Sequence, residues 1–138
     1  MEVTFQTSNN DCGVSVLISL HRHLYFKEIS KEQVLKDFEL YDNGMSIQDL
    51  EILARDINIE LTSYEASFKD ILDIYYKEYF VSLFKSENGN HYVICKLRKR
   101  YVEVIDSSNG NIKMSFEESI TSTPNLSLIH ISEPTRPE

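Results

Sequence analysis

Cys12 lies in the stretch Gln6-Thr7-Ser8-Asn9-Asn10-Asp11-Cys12-Gly13, a polar, turn-prone loop that runs directly into an apolar segment ending near Leu20. This pattern delivers a thiol to the first turn of a buried helix. The N–H groups of a helix start are unpaired and carry about half a positive charge. A thiolate is stabilised there, which is what a cysteine nucleophile requires. Asp11 is placed to act as an N-cap, and Gly13 to let a substrate approach the backbone. A buried structural cysteine fits the same stretch, so the deciding residues have to come from elsewhere in the chain.

A catalytic thiol needs a histidine as base, and the histidine needs a group that orients it. The chain has four histidines. His21 and His23 fall two or more turns along the helix that Cys12 opens, out of reach of its sulfur. Being two apart, they point to different faces and make a poor metal pair. His130 lies in a C-terminal stretch of different texture. His91 remains, at the start of an expected strand. If Leu97–Arg100 is a four-residue loop, Lys96 pairs with Tyr101, Cys95 with Val102, Val93 with Val104, and His91 with Asp106. Alternation then puts His91, Val93 and Cys95 on one face with Val102, Val104 and Asp106. Directly opposite residues have Cβ atoms roughly 4.5–5.5 Å apart, close enough for Asp106 to hold an imidazole N–H. The inference depends on the register; solvated strand ends beside turns are the competing reading. Cys95 reads as a small core residue. Gln6, six residues ahead of the thiol, can fold its side-chain amide back beside the Cys12 N–H. Two such donors would hold the oxyanion of a tetrahedral intermediate. Taken alone, Gln6 is a polar surface residue.

The elements that must position these groups can be read from periodicity and caps. Val14, Leu17, Ile18, His21, Leu24 and Tyr25 recur at helical steps after Gly13. Ser30 followed by Gln33 is a capping-box pattern, and Ser46 opens a third helix carrying Ile47, Leu50, Leu53, Ala54 and Ile57, closed by Asn58. Residues 2–5 read as a short strand or an extended lead-in. Residues 59–64 alternate as a strand, and 67–76 form a weaker helix. Four strands follow, at 79–84, 91–96, 101–106 and 112–116, with turns at 87–90 and 107–111. Tyr41-Asp42-Asn43-Gly44 is a further turn. Helices first and a strand meander after describe an α+β domain.

Composition bounds the functional classes. The 138 residues, 41% of them hydrophobic with eight Tyr and seven Phe, suffice for one domain with a real core. A net charge of −8 leaves no basic stripe for phosphates or for an anionic membrane surface. Cys12 and Cys95 are too few and too far apart for a disulfide scaffold or a zinc site, and suggest a reducing compartment. No signal peptide and no apolar run of membrane-spanning length is visible.

Gln6…Asp11-Cys12-Gly13-Val14-Ser15, His91-Tyr92-Val93-Ile94 and Val104-Ile105-Asp106 together resemble the bacteriocin-processing peptidases. These are papain-like cysteine protease domains at the N-terminus of peptide-exporting ABC transporters. The order Gln, Cys, His, Asp and the spacing of Gln to Cys match, over Glu2 to about Ile120. The resemblance implies a papain-like fold with N-terminal helices packed on a C-terminal antiparallel sheet. It implies Cys12 as nucleophile, His91 as general base and acid, Asp106 as the orienting residue and Gln6 as oxyanion donor. It further implies a precursor peptide cut after a double-glycine motif, and the transmembrane and ATP-binding parts of a transporter as partners. The setting would be the cytoplasmic side of the bacterial inner membrane, with neither cofactor nor metal at the site. Ser107 stands where the family usually has proline, and Glu78-Tyr79-Phe80-Val81 lacks a proline common before the histidine. A docking domain that holds a leader without cutting it is the alternative. Leader recognition needs an apolar groove, for which residues near Phe68–Tyr76 are candidates. On this reading residues 1–126 are the peptidase domain. Residues 127–138, with their Leu-Ile-His-Ile-Ser-Glu-Pro-Thr-Arg-Pro-Glu, are an expected artefactual or disordered tail, similar to translated read-through of sequencing-adapter DNA.

Overall fold

Capping chemistry sets the N-terminal helices. Helix α1 (Cys12–Tyr25) turns its apolar positions inward, and Cys12 to His21 are all buried. In α2 (Lys31–Leu35), Ser30 Oγ accepts from the Gln33 N–H at 3.1 Å while Gln33 Oε1 accepts from the Ser30 N–H at 2.7 Å. Both unpaired donors of that helix start are thereby satisfied. Helix α3 (Ile47–Asp56) is capped by Ser46, which accepts from the Asp49 N–H at 3.1 Å. It is closed by Asn58 at φ 63°, a left-handed conformation that asparagine tolerates. The computed structural model describes residues 1–5, 11–36, 38–39, 44–74, 76–86, 89–122 and 125–132.

Among the described residues the sheet has six antiparallel strands: β1 (Glu60–Ser67), β2 (Phe80–Ser86), β3 (Gly89–Leu97), β4 (Tyr101–Asp106), β5 (Gly110–Ser115) and β6 (Asn125–Ser132). Their spatial order is β1-β6-β2-β3-β4-β5. One face carries α1 and α3, packed through Leu17, Leu50, Tyr92, Ile94 and Ile105. The other is covered by α4 (Phe68–Asp73) and α5 (Phe116–Ser122), with Phe68, Ile71, Phe80, Val93 and Val104 at its centre. Successive strand residues feed opposite layers, so Tyr92 and Ile94 enter the first core while Val93 and Cys95 enter the second. The α+β architecture expected from the sequence is present, with a second helical layer added.

Several local expectations are corrected. Of the two readings of residues 2–5, the strand is not formed and the lead-in remains; the Thr4 N–H donates to Ser19 Oγ at 2.9 Å, tying this segment to α1. The loop between β3 and β4 is shorter than four residues. The Arg98 N–H donates to the Tyr101 carbonyl at 2.8 Å, leaving Lys99 and Arg100 as the turn. In the stretch offered for leader recognition, Phe68 and Ile71 are buried on the inner side of α4, while Ile74 just after it is exposed. Helix α5 starts where a strand was expected to end, because Ser115 Oγ accepts from the Glu118 N–H at 3.0 Å. Residues 127–132 do not form a disordered tail: they belong to β6, which pairs with β1 along its length and with β2 from Ser127 to His130. Alternating Leu128, His130 and Ile129, Ile131 suit a strand with both faces covered, and Leu128 and Ile129 enter the two cores. The turns expected at 41–44 and 87–90 fall largely outside the described residues.

Candidate active site

Cys12 is the first residue of α1 and only 1% exposed. It belongs to the core on the α1 face, with Tyr92, Ile94 and Ile105. His91, by alternation, belongs with Val93 and Cys95 to the opposite face. The two side chains meet, within hydrogen-bonding reach, where β3 extends past its ladder with β4, whose first pair is Ile94 with Ile105. Tyr92 anchors this end of β3 to the segment that leads into α3: its hydroxyl donates to the Met45 carbonyl at 2.7 Å. Burial, first, and the nearby Cys12 push that phenol well above its ordinary range, so it stays a neutral donor.

Asp106 ends β4 and orients the imidazole. His91 Nε2 donates to Asp106 Oδ1 at 3.0 Å, leaving Nδ1 as the ring nitrogen available to the thiol. The same Oδ1 accepts from the Ser108 N–H at 2.8 Å, and Oδ2 accepts from Asn109 Nδ2 at 3.3 Å. Burial works to raise the carboxyl, but the bonds from His91, the Ser108 N–H and Asn109 outweigh it and hold Asp106 below the usual carboxylate range. The hydrogen bond to Asp106, then the one to Cys12, raises His91 to about 10 against the opposing effect of burial. An imidazolium is therefore the resting state at neutral pH. A thiol beside an imidazolium, with a carboxylate behind it, is the arrangement for nucleophilic attack followed by proton delivery to a leaving group.

The register that produces this contact differs from the expected one. Cys95 pairs with Val104 and Leu97 with Val102, a slip of two residues caused by the shorter turn. A slip of one would have sent Asp106 to the other face; a slip of two keeps it on the side of His91. Two further corrections concern the opening loop. Asp11 holds the N-cap position but makes no side-chain cap bond; with φ −110° and ψ 21° it lacks the extended backbone of a cap. Its carboxylate meets Lys31 Nζ at 3.0 Å instead. Gly13 is buried, and a Cβ there would lie at ordinary contact distance, 3.4 Å from Leu50 Cδ1 and 3.4 Å from Met45 Sδ, so it faces the core and does not line an approach for substrate. Gln6 lies outside the described residues.

Ser108, Asn109 and Lys31 were not anticipated. The Asp-Ser-Ser-Asn-Gly run was a usable signal, since an Asp that opens a turn accepts from the N–H two residues on. Cys95 is buried in the second core, its thiol pushed up to about 12 by burial. His21 Nδ1 donates to the Lys27 carbonyl at 2.9 Å and His23 stacks edge-on against Tyr79, so both serve the fold.

Comparison with known proteins now decides the affiliation. The profile of the Peptidase C39 family matches residues 1–122. The chain belongs to the Peptidase C39 family. Among curated proteins, this C39 chain is 24% identical over 119 residues to "Putative ABC transporter ATP-binding MG390" of Mycoplasma genitalium, covering 86% of this chain and 17% of that protein. The Mycoplasma pneumoniae homolog is 26% identical over the same shares. The chain thus spans about a sixth of the length of the curated relatives it matches.

Solved structures agree on the C39 fold. The peptidase domain of Streptococcus ComA, described as a bi-functional ABC transporter involved in quorum sensing, superposes with a TM-score of 0.79 at 19% identity, covering 96% of this chain and 98% of that one. A double glycine motif protease from an AMS/PCAT transporter, in complex with its leader peptide, gives 0.69 at 19% identity, with coverage of 98% and 99%. Among the described residues, no helix is long and apolar enough to cross a membrane.

Proposed function

We propose that this C39 domain is a cysteine endopeptidase that cleaves a leader peptide after a double-glycine motif. The observation that supports it is the convergence of Cys12, His91 and Asp106 from α1, β3 and the end of β4. The Cys12 thiolate attacks the carbonyl carbon of the leader's last glycine, and the carbonyl electron pair moves to oxygen. The oxyanion is held by the Cys12 N–H and the Gln6 side-chain amide. As the tetrahedral intermediate collapses, the C–N bond breaks and His91 gives its proton to the departing amine. His91 then takes a proton from water, whose oxygen attacks the thioester; the C–S bond breaks, the leader leaves as its carboxylic acid, and the Cys12 thiolate is restored beside the imidazolium. Glycines suit a narrow channel over the thiol because they have no side chain. Two relatives are named as putative ABC transporter ATP-binding proteins and one similar structure holds a leader peptide, which supports a transporter as partner and, because ATP is bound inside the cell, a setting on the cytoplasmic side of its membrane.

The test is incubation of the purified chain with a synthetic double-glycine leader peptide, alongside Cys12→Ala. Cleavage after the second glycine by the first protein and none by the second is expected. Equal turnover by both, or binding without cleavage by both, overturns the proposal; the latter outcome replaces it with a docking domain.

A further inference from the structure

Asp11 poses an electrostatic question that the mechanism leaves unanswered. It directly precedes the proposed nucleophile, its side chain is 3% exposed, and it makes no cap bond to α1. A serine or asparagine in its place would cap the helix. A buried carboxylate next to a thiolate instead disfavours both anions, and a buried charge of this kind persists only when paired. Its partner is Lys31, whose Nζ lies 3.0 Å from Asp11 Oδ2 while the side chain, 36% exposed, runs out to solvent. Lys31 is the first residue of α2, held by the reciprocal bonds of Ser30 and Gln33. The cap of α2 thus fixes the cation that meets the carboxylate of the residue preceding the nucleophile. Among the described residues, His91 and Tyr92 on β3 and Asp106 at the end of β4 are titratable groups linked to Cys12, with Asp49 and Glu51 of α3 acting on Tyr92.

We propose that Lys31 and Asp11 are a positioning pair for the nucleophile: the ammonium cancels the carboxylate's charge, so the thiolate–imidazolium state of Cys12 and His91 is kept without a competing anion one residue away. This rests on the reading of Cys12 as nucleophile, but its test needs no peptidase activity. It also gives the acidic residue before the cysteine a purpose other than capping.

The experiment measures the rate of Cys12 alkylation by iodoacetamide from pH 4 to 10, located by peptide mapping. The full chain is compared with Lys31→Met, Lys31→Arg, Asp11→Asn and the double variant Asp11→Asn/Lys31→Met. Lys31→Met is expected to move the midpoint of the pH profile up by about one unit, roughly tenfold slower alkylation below it. Asp11→Asn moves it down, Lys31→Arg restores it, and the double variant returns close to the parent. A purely structural tie predicts that Asp11→Asn and Lys31→Met shift the profile in the same direction and that the double variant does not recover; that result, or unchanged profiles, overturns the proposal. If Lys31→Met does not fold, the sign of the Asp11→Asn shift and the recovery in the double variant still decide. A parent chain that alkylates as expected but cuts no leader peptide would remove the peptidase reading and leave the pair standing.

Discussion

Asp106 reaches His91 along a diagonal. The carboxylate lies one residue beyond the Ile94–Ile105 pair on β4 and the imidazole three residues before it on β3, yet Asp106 Oδ1 and His91 Nε2 are 3.0 Å apart. Diagonal neighbours on one face are within reach of a long side chain, and the turn at Ser108 and Asn109 fixes the carboxylate at that reach.

Asp106→Asn should therefore act through His91. Loss of an orienting carboxylate in such a triad lowers kcat by as much as about 10⁴-fold. His91 is raised to about 10, so the imidazolium persists through neutral pH, and leader cleavage should fall as pH passes through about 10. In Asp106→Asn the alkaline limb should move down toward the ordinary imidazole value. The raised value also has a stability consequence: the contribution is complete below 6.5 and is lost as pH rises through about 10. Urea unfolding between pH 6 and 10.5 should show this decline in the parent and less of it in Asp106→Asn. Identical pH profiles for the two proteins would contradict the account.

Cys95 should be chemically silent. Its thiol is buried and pushed up to about 12. Iodoacetamide at pH 7 is expected to label Cys12 and spare Cys95 in the folded chain. Cys95→Ala should keep leader cleavage at a cost of about 1 kcal/mol in unfolding free energy, the scale of a small core deletion. Loss of cleavage with the fold intact would mean that the second thiol takes part.

Gly13 separates packing from access. Alanine there would meet Leu50 and Met45 at ordinary contact distance and gains helix propensity, so Gly13→Ala should fold and cleave as the parent does. Gly13→Leu should destabilise by about 1–3 kcal/mol, as overpacked core sites do. Thermal melts and the peptide assay check both. Loss of activity in Gly13→Ala with an unchanged melt would return Gly13 to substrate approach.

What the sequence made legible follows from how local each cause is. The caps at Ser30 and Ser46 are contained within four residues, and both formed as expected. Strand parity survived a register error because alternation repeats every second residue, so His91 and Asp106 stayed on one face. The length of the turn at Lys99-Arg100 set the actual register, and no periodic pattern reports a turn length. The roles of Asp11 and Gly13 escaped because their partners, Lys31, Leu50 and Met45, are remote in sequence. Helix α5 was missed although Ser115 and Glu118 carry a cap signature, since the strand pattern running into Phe116 masked it.

The slot occupied by β6 is a separate matter. A chain ending at 126 would leave β1 and β2 without their shared neighbour and remove Leu128 and Ile129 from the cores. It should lose cooperative unfolding. Ladder bonds are made by backbone groups, so another alternating strand sequence appended at 127 should restore much of the stability. Full stability in the truncated chain would contradict the topology.

The central claim is that Cys12, activated by His91, forms the bond to the leader's last glycine. It is tested most directly by incubating the chain with a leader peptide whose last glycine carries a chloromethyl ketone and measuring intact and peptide masses. One thioether equivalent on Cys12, formed with loss of chloride and slowed strongly in His91→Ala, is the predicted result. Attachment at Cys95, or cleavage of the natural leader with no attachment at Cys12, would contradict it.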